Sequence, residues 1–317
     1  MSHKQSPNTP FRTTIGGQAL IEGILMRGPE KQSIVVRRPD GGLEIKVEAL
    51  HLIKERHPVL GLPFIRGTVT FLDSMVKGIQ ALMFSADFCP DEEDVAPSKF
   101  EVWLEKRLGS EALQQGMIYF AAFLGIAFSI GLFILLPALV FGLLQDVIPS
   151  FFVRNLLEGL ARIIIFFVYL ILCSRQKDIY RVFCYHGAEH KTIFCYEAGL
   201  PLTVENVRKM PRHHPRCGTS FLFVVMVIAI LIFSVVRVEN VFLQLVCKLL
   251  LLPVVVGITY EINRYMGRHD NLLSKICTAP GLWMQNFTTN EPDDGMITCA
   301  IEALNRVIPE KQGQDAW

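Results

Sequence analysis

The amino-acid sequence predicts a mainly α fold, a polytopic membrane helix bundle of about four spans carrying a small N-terminal α+β cytoplasmic region with a β-hairpin. Three observations predict it. Hydrophobic residues make up 51% of the 317-residue chain, and its mean hydropathy is positive. Most apolar runs fall in two blocks, 116–173 and 221–262, each long enough for crossings that need about 20 apolar residues. Ahead of them, "SIVVRRPDGGLEIKVEA" (Ser33–Ala49) has two strand-like runs around Pro39-Asp40-Gly41-Gly42, whose proline and glycines suit a tight turn.

Taken in order, the first residues, "MSHKQSPNTPFRTT", have no apolar core or small-residue cleavage site, so no cleaved signal peptide is expected and the N-terminus stays in the cytoplasm. "IGGQALIEGILMRGP" is glycine-punctuated but lacks the GK[ST] of a phosphate loop and the spacing of a dinucleotide fingerprint. A plain structural turn is expected there, with Glu22 and Arg27 as candidates to enter a site from the cytoplasmic side. After Pro63, residues Arg66, Thr70, Asp73, Lys77 and Gln80 form a narrow polar stripe on an otherwise apolar helix over 63–84. Its wide apolar face favours a helix lying in the headgroup plane over one packed among the spans.

Four regions result: 1–86, the N-terminal cytoplasmic region; 87–115, an acidic linker with an amphipathic helix; 116–262, the bundle with a long loop 174–220; and 263–317, a C-terminal cytoplasmic segment. Spans are expected at about Met117–Leu144, Phe151–Cys173, Phe221–Val236 and Val241–Ile262. The long loop holds eight Lys and Arg and the tail adds Arg264, Arg268 and Lys275, whereas the two short turns hold only Arg237. Positive-inside asymmetry therefore puts both termini and the long loop in the cytosol, as a multi-pass protein of the cytoplasmic (inner) membrane. A net charge of +1 from 31 basic and 30 acidic residues excludes a nucleic-acid binder, which needs a concentrated basic surface. Eight cysteines without a CxxC pair read as reduced thiols.

The chemistry centres on "CYHGAEHKTIFCYEAG" (Cys184–Gly199). Residues 176–198 can continue the second span as a helix capped by Gly199. At 100° per residue, His186, Glu189, His190, Ile193 and Glu197 share one sector, with Cys184 and Cys195 opposite. The two imidazoles then stand about 6 Å apart along the axis, able to converge on one zinc-sized cation while Glu189 takes a proton from water. The spacing H-x-x-E-H is that of the inverted zincins; a juxtamembrane helix whose histidines bond headgroups or loop carbonyls is the bland alternative. "PRHHPRCGTS" adds His214 and Cys217 as nitrogen and sulfur donors from a second segment, or a basic loop that binds lipid phosphates. Glu261 is a candidate to ligate the metal or orient a histidine, or simply to pair with Arg264. Within the spans, Arg154, Glu158 and Arg162 lie on one face and Lys248 interrupts the fourth; an internal Arg-Glu-Arg ladder is expected ahead of an ion path.

In order along the chain, "GGQALIEGILMRGP", "YHGAEHK", "HPRCGTSF", "YE", "PGLWMQ" and "TTNEPDD" resemble the YqhQ-like family of bacterial membrane proteins, described as predicted metal-dependent enzymes. The resemblance runs from about Ile15 to Leu304. It implies a multi-span membrane protein with a metal site, its motif residues falling on Glu22, Arg27, His186, Glu189, His190, His214, Cys217, Glu261 and Glu291. Departures at Asn290 and Thr298 touch the C-terminal segment and leave the histidines intact.

The expectation is thus a metal-dependent hydrolase acting on a peptide or lipid at the cytoplasmic membrane interface. Its cofactor is a divalent metal, zinc by its donors, held by His186, His190, His214 and Cys217, with Glu189 catalytic. Glu22, Arg27, Glu261 and Glu291 serve as second-shell or substrate-binding residues. Two alternatives stand beside it: a non-enzymatic scaffold with a closed structural metal site, and an ion or small-solute transporter.

Overall fold

A computed structural model describes residues 11–50, 58–88, 116, 120, 123–144, 146–235, 238, 240–311 and 313–316. The linker and amphipathic helix expected at 87–115 lie outside them, except for Asp87 and Phe88. The chain divides into two compact units, one of residues 1–89, 170–229 and 252–317, the other of 90–169 and 230–251.

The first unit is built on a four-stranded antiparallel meander: β1 (Gly16–Leu20), β2 (Gly23–Arg27), β3 (Lys31–Arg37) and β4 (Leu43–Ala49). The expected hairpin is β3–β4, in register from Lys31↔Ala49 to Arg37↔Leu43. Gly41 takes a left-handed φ of 84° in its turn, and Gly42 N–H donates to Asp40 Oδ1 at 2.8 Å. The glycine-punctuated segment expected to be a plain turn is instead a second hairpin, β1–β2. Its reversal at Ile21-Glu22 puts Glu22 at φ 49°, a conformation costly for any residue with a Cβ.

Alternation assigns the two faces of the sheet. Ile24, Met26 and Val35 pack with Tyr185, Ala188, Cys299 and Ala300, which lie on α4 (Lys177–Glu197) and α9 (Asp294–Asn305). Leu20, Leu25, Ile34 and Val36 pack on Ala81 and Phe84 of α1 (Ile65–Ala86). Both faces being covered, β3 is buried throughout its middle, as side chains that alternate between faces require.

Three helices are long and apolar enough to cross a membrane: α2 (Phe123–Leu143), α3 (Phe151–Ser174) and Phe242–Arg268 of α7 (Val241–Arg268). The expected third span is α6 (Gly218–Ser234), only 17 residues and shorter than the roughly 20 a crossing needs. The fourth runs past its expected end at Ile262. The second span does not continue into α4: Gln176 is extended (ψ 137°), and Asp178 sits in the first turn of the restarted helix. Past the end of α4, Gly199 has φ 66°, and α5 (Val204–Arg208) and α8 (Leu272–Thr288) complete the helices used below.

Within the second unit, Glu158 bonds Arg162 at 2.8 Å and Lys248 at 2.5 Å. Arg162 Nε also donates to the carbonyl of Phe133 at 2.6 Å, inside the π-helical stretch Gly131–Leu135. The expected ladder is corrected at one end. Arg154 lies over the ring of Phe151, and Lys248 takes its place on the carboxylate.

Candidate functional site

Every part of the site lies in the first unit. The 3.6-residue period of α4 stacks His186 and His190, with ring centroids 4.3 Å apart. The loop after α5 brings Cys217 in just before α6, with its Sγ 3.2 Å from His186 Nε2. The donor atoms of His186, His190 and Cys217 lie within 4.8 Å of one another.

Backbone carbonyls set the tautomer of both imidazoles. His186 Nδ1 is 2.8 Å from Thr288 O and His190 Nδ1 is 2.6 Å from Arg212 O. A carbonyl only accepts, so each Nδ1 carries a proton, and it is Nε2 that offers a lone pair when the ring is neutral. His190 Nε2 is buried with no hydrogen-bond partner among the described residues, in surroundings where such an atom is costly.

Glu189 faces the same cavity, about 390 Å³, which is lined also by His186, His190, Cys217 and the segment Thr13–Ala19. Its Oε1 accepts the Gly17 N–H at 2.9 Å. Burial pushes its carboxyl above the ordinary range, opposed by the charge of His186 and by the Gly17 hydrogen bond. Gly17 is needed there, since a Cβ would meet Leu25 O at 2.7 Å and Glu189 Cγ and Cδ at 3.0 Å.

His214 stands outside the group of three. Its ring centroid is 5.6 Å from that of His190, and its Nε2 is 3.7 Å from Glu197. Gln285 clamps its backbone, accepting the His214 N–H at 2.7 Å and donating to its carbonyl at 2.9 Å. Burial, only partly offset by Glu197, lowers the imidazole to about 4, so it is neutral at physiological pH. Glu197 is pushed up by burial. The hydrogen bond from His214, the charge of Arg216 and the Thr13 N–H outweigh that and hold it below the ordinary range.

The remaining sequence candidates sit elsewhere. Glu22 binds Arg181 (2.5 and 2.7 Å), Arg37 and the Tyr185 hydroxyl. Arg27 binds Asp73 and Ser74, Glu261 binds Arg66 at 2.7 and 2.5 Å, and Glu291 pairs with Lys191 at 2.7 Å. Sequence reasoning missed the carbonyls of Thr288 and Arg212, the clamp by Gln285 and the wall 13–19. Of these, Gln285 in "PGLWMQ", Gly16–Ala19 in "GGQALIEGILMRGP" and Thr288 in "TTNEPDD" fell within the motifs, which did not show what they contact.

Fold and site together define a class: a protein with helices long enough to cross a membrane, an N-terminal antiparallel sheet, and a His-His-Cys cluster on the unit that bears the sheet. The chain belongs to the family described as "Protein of unknown function (DUF1385)", which it matches over residues 62–310. It is 31% identical over 299 residues to the "Uncharacterized protein YqhQ" of Bacillus subtilis (strain 168), covering 92% of each chain. No solved structure matches it.

Proposed function

We propose that this membrane protein binds a divalent metal, zinc by the character of its donors, through His186, His190 and Cys217, and hydrolyses a peptide or lipid substrate beside it. The observation that carries the reading is the pair of imidazoles whose Nδ1–H groups are spent on carbonyls. Metal-bound histidines are oriented by such partners. The unpartnered Nε2 of His190 beside Cys217 Sγ is the atom a cation would satisfy.

A bound zinc ion would supply Lewis acidity. Three protein donors with a fourth position open are the catalytic pattern, whereas four make a closed structural site. His214 pointing toward Glu197 favours the open pattern over the scaffold reading. Glu189, buried and raised, has the character of a group that takes up and returns a proton, and the Gly17 N–H fixes one of its oxygens. The density of Lys and Arg in 174–220 and in the tail supports a cytosolic placement of this site and both termini at the inner membrane.

Cobalt substitution tests the ligand set. Full-length protein titrated with Co²⁺ in detergent is expected to show a thiolate-to-cobalt charge-transfer band that Cys217→Ser removes and Glu189→Gln leaves. A band that survives Cys217→Ser, or no band in wild type, contradicts the assignment.

A further inference from the structure

A second cavity, about 580 Å³, lies between α1 and the C-terminal turns of α7, with Arg27 from β2 in its wall. Gly67 lets the two helices approach closely; a Cβ there would be 2.6 Å from Tyr260 Cβ. Four guanidinium groups line the cavity: Arg27, Arg66, Arg264 and Arg268. Arg27 is neutralised by Asp73 and Arg66 by Glu261, but Asp73 is shared with Lys77. Arg264 and Arg268, one turn apart on the same face of α7, form no hydrogen bond and no ion pair within 4 Å among the described residues, and Arg264 feels only the more distant charge of Glu261. With Lys77 included, five cations stand against two carboxylates.

Such an excess, at the end of a helix apolar enough to cross a bilayer, suits a multivalent anion. Guanidinium forks match tetrahedral oxyanions bidentately, and basic pockets at helix ends beside a membrane take lipid phosphates. Asn263 and Thr70 add neutral polar groups, and Val69 and Leu60 an apolar wall. The outer face of α1 exposes Leu72, Val76 and Ile79, each more than half exposed. We propose that this cavity binds a phosphate group, that of an anionic lipid headgroup or of a soluble phosphorylated molecule, through Arg264 and Arg268. Arg66 and Arg27 form its fixed cationic wall. The proposal is independent of the metal reading.

Native mass spectrometry of the full-length, delipidated protein tests it, with phosphatidylglycerol or phosphatidylcholine added; a calorimetric titration with inorganic phosphate forms the second arm. Wild type is expected to bind at least one phosphate probe, and Arg264→Gln/Arg268→Gln to bind it roughly thirtyfold more weakly, at about fivefold per arginine. Preference for phosphatidylglycerol over phosphatidylcholine identifies a lipid source; binding of inorganic phosphate without that preference identifies a soluble one. If the double variant melts below wild type, Arg268→Gln alone, at an exposed position, is expected to weaken binding about fivefold. Failure of wild type to bind either probe, or equal binding by the folded variants, overturns the proposal.

Discussion

Two adjacent glycines on β1 give a matched test of how the sheet positions the Glu189 carboxyl. A Cβ on Gly17 would lie 2.7 Å from Leu25 O and 3.0 Å from two Glu189 carbons, while one on Gly16 meets nothing within 4 Å. Optimal carbon contacts are near 3.5 Å, so Gly17→Ala must move the Glu189 side chain by about 0.5 Å and strain the β1–β2 pairing. Overpacking of this kind costs about 1–3 kcal/mol, offset by about 0.4–1 kcal/mol from a less flexible unfolded chain. The net loss is about 1–2 kcal/mol, or roughly 2–8 °C in melting temperature. Gly16→Ala gains the entropy without the clash and is expected to melt at or slightly above wild type. Both variants keep the residue-17 N–H that bonds Glu189, so a functional loss confined to Gly17→Ala reports displacement of the carboxyl. Thermal unfolding of the full chain in detergent decides it, and identical melting of the two variants would refute the packing argument.

Other consequences follow from the charge pairs. Burial pushes the Glu22 carboxyl up, but Arg181, Tyr185 and Arg37 together hold it below its ordinary 4.5; its contribution is therefore full above about that pH and is lost as pH falls through the lowered folded value. Wild type should exceed Glu22→Gln in stability at neutral pH, by no more than about 1 kcal/mol for so accessible a network, and the gap should close under acid; a gap constant with pH refutes this. Glu158→Gln leaves Arg162 and Lys248 without their carboxylate among apolar helices and is expected to cost about 3–5 kcal/mol. Adding Lys248→Met should recover part of that loss in the same melting assay, and no recovery would mean that the cluster does not act as a pair.

Legibility in the sequence followed how local each signal was. The β3–β4 hairpin was readable because Asp40-Gly41-Gly42 makes its turn, whereas β1–β2 turns at Ile21-Glu22, two residues that do not favour a reversal, with a glycine only at the closing position, Gly23. Its left-handed Glu22 is held by Arg181, about 160 residues away in sequence, a contact no local pattern contains. Apolar runs located the long helices, but the break at Gln176 has no breaker residue. His186 and His190 followed from helical spacing, and Cys217 from its donor chemistry. The partners that set their tautomers are the main-chain oxygens of Thr288 and Arg212, which any residue would offer and which only the fold brings near. His214 resembled a further ligand in sequence, and its burial against Glu197 is a tertiary fact.

Metal content tests the central claim most directly. Full-length wild type, purified in detergent and reconstituted with zinc, should retain about one equivalent by elemental analysis, the stoichiometry of a single group of three donors, and His186→Ala/His190→Ala should retain none while remaining folded. Zinc absent from wild type, or retained equally by the double variant, would contradict the account.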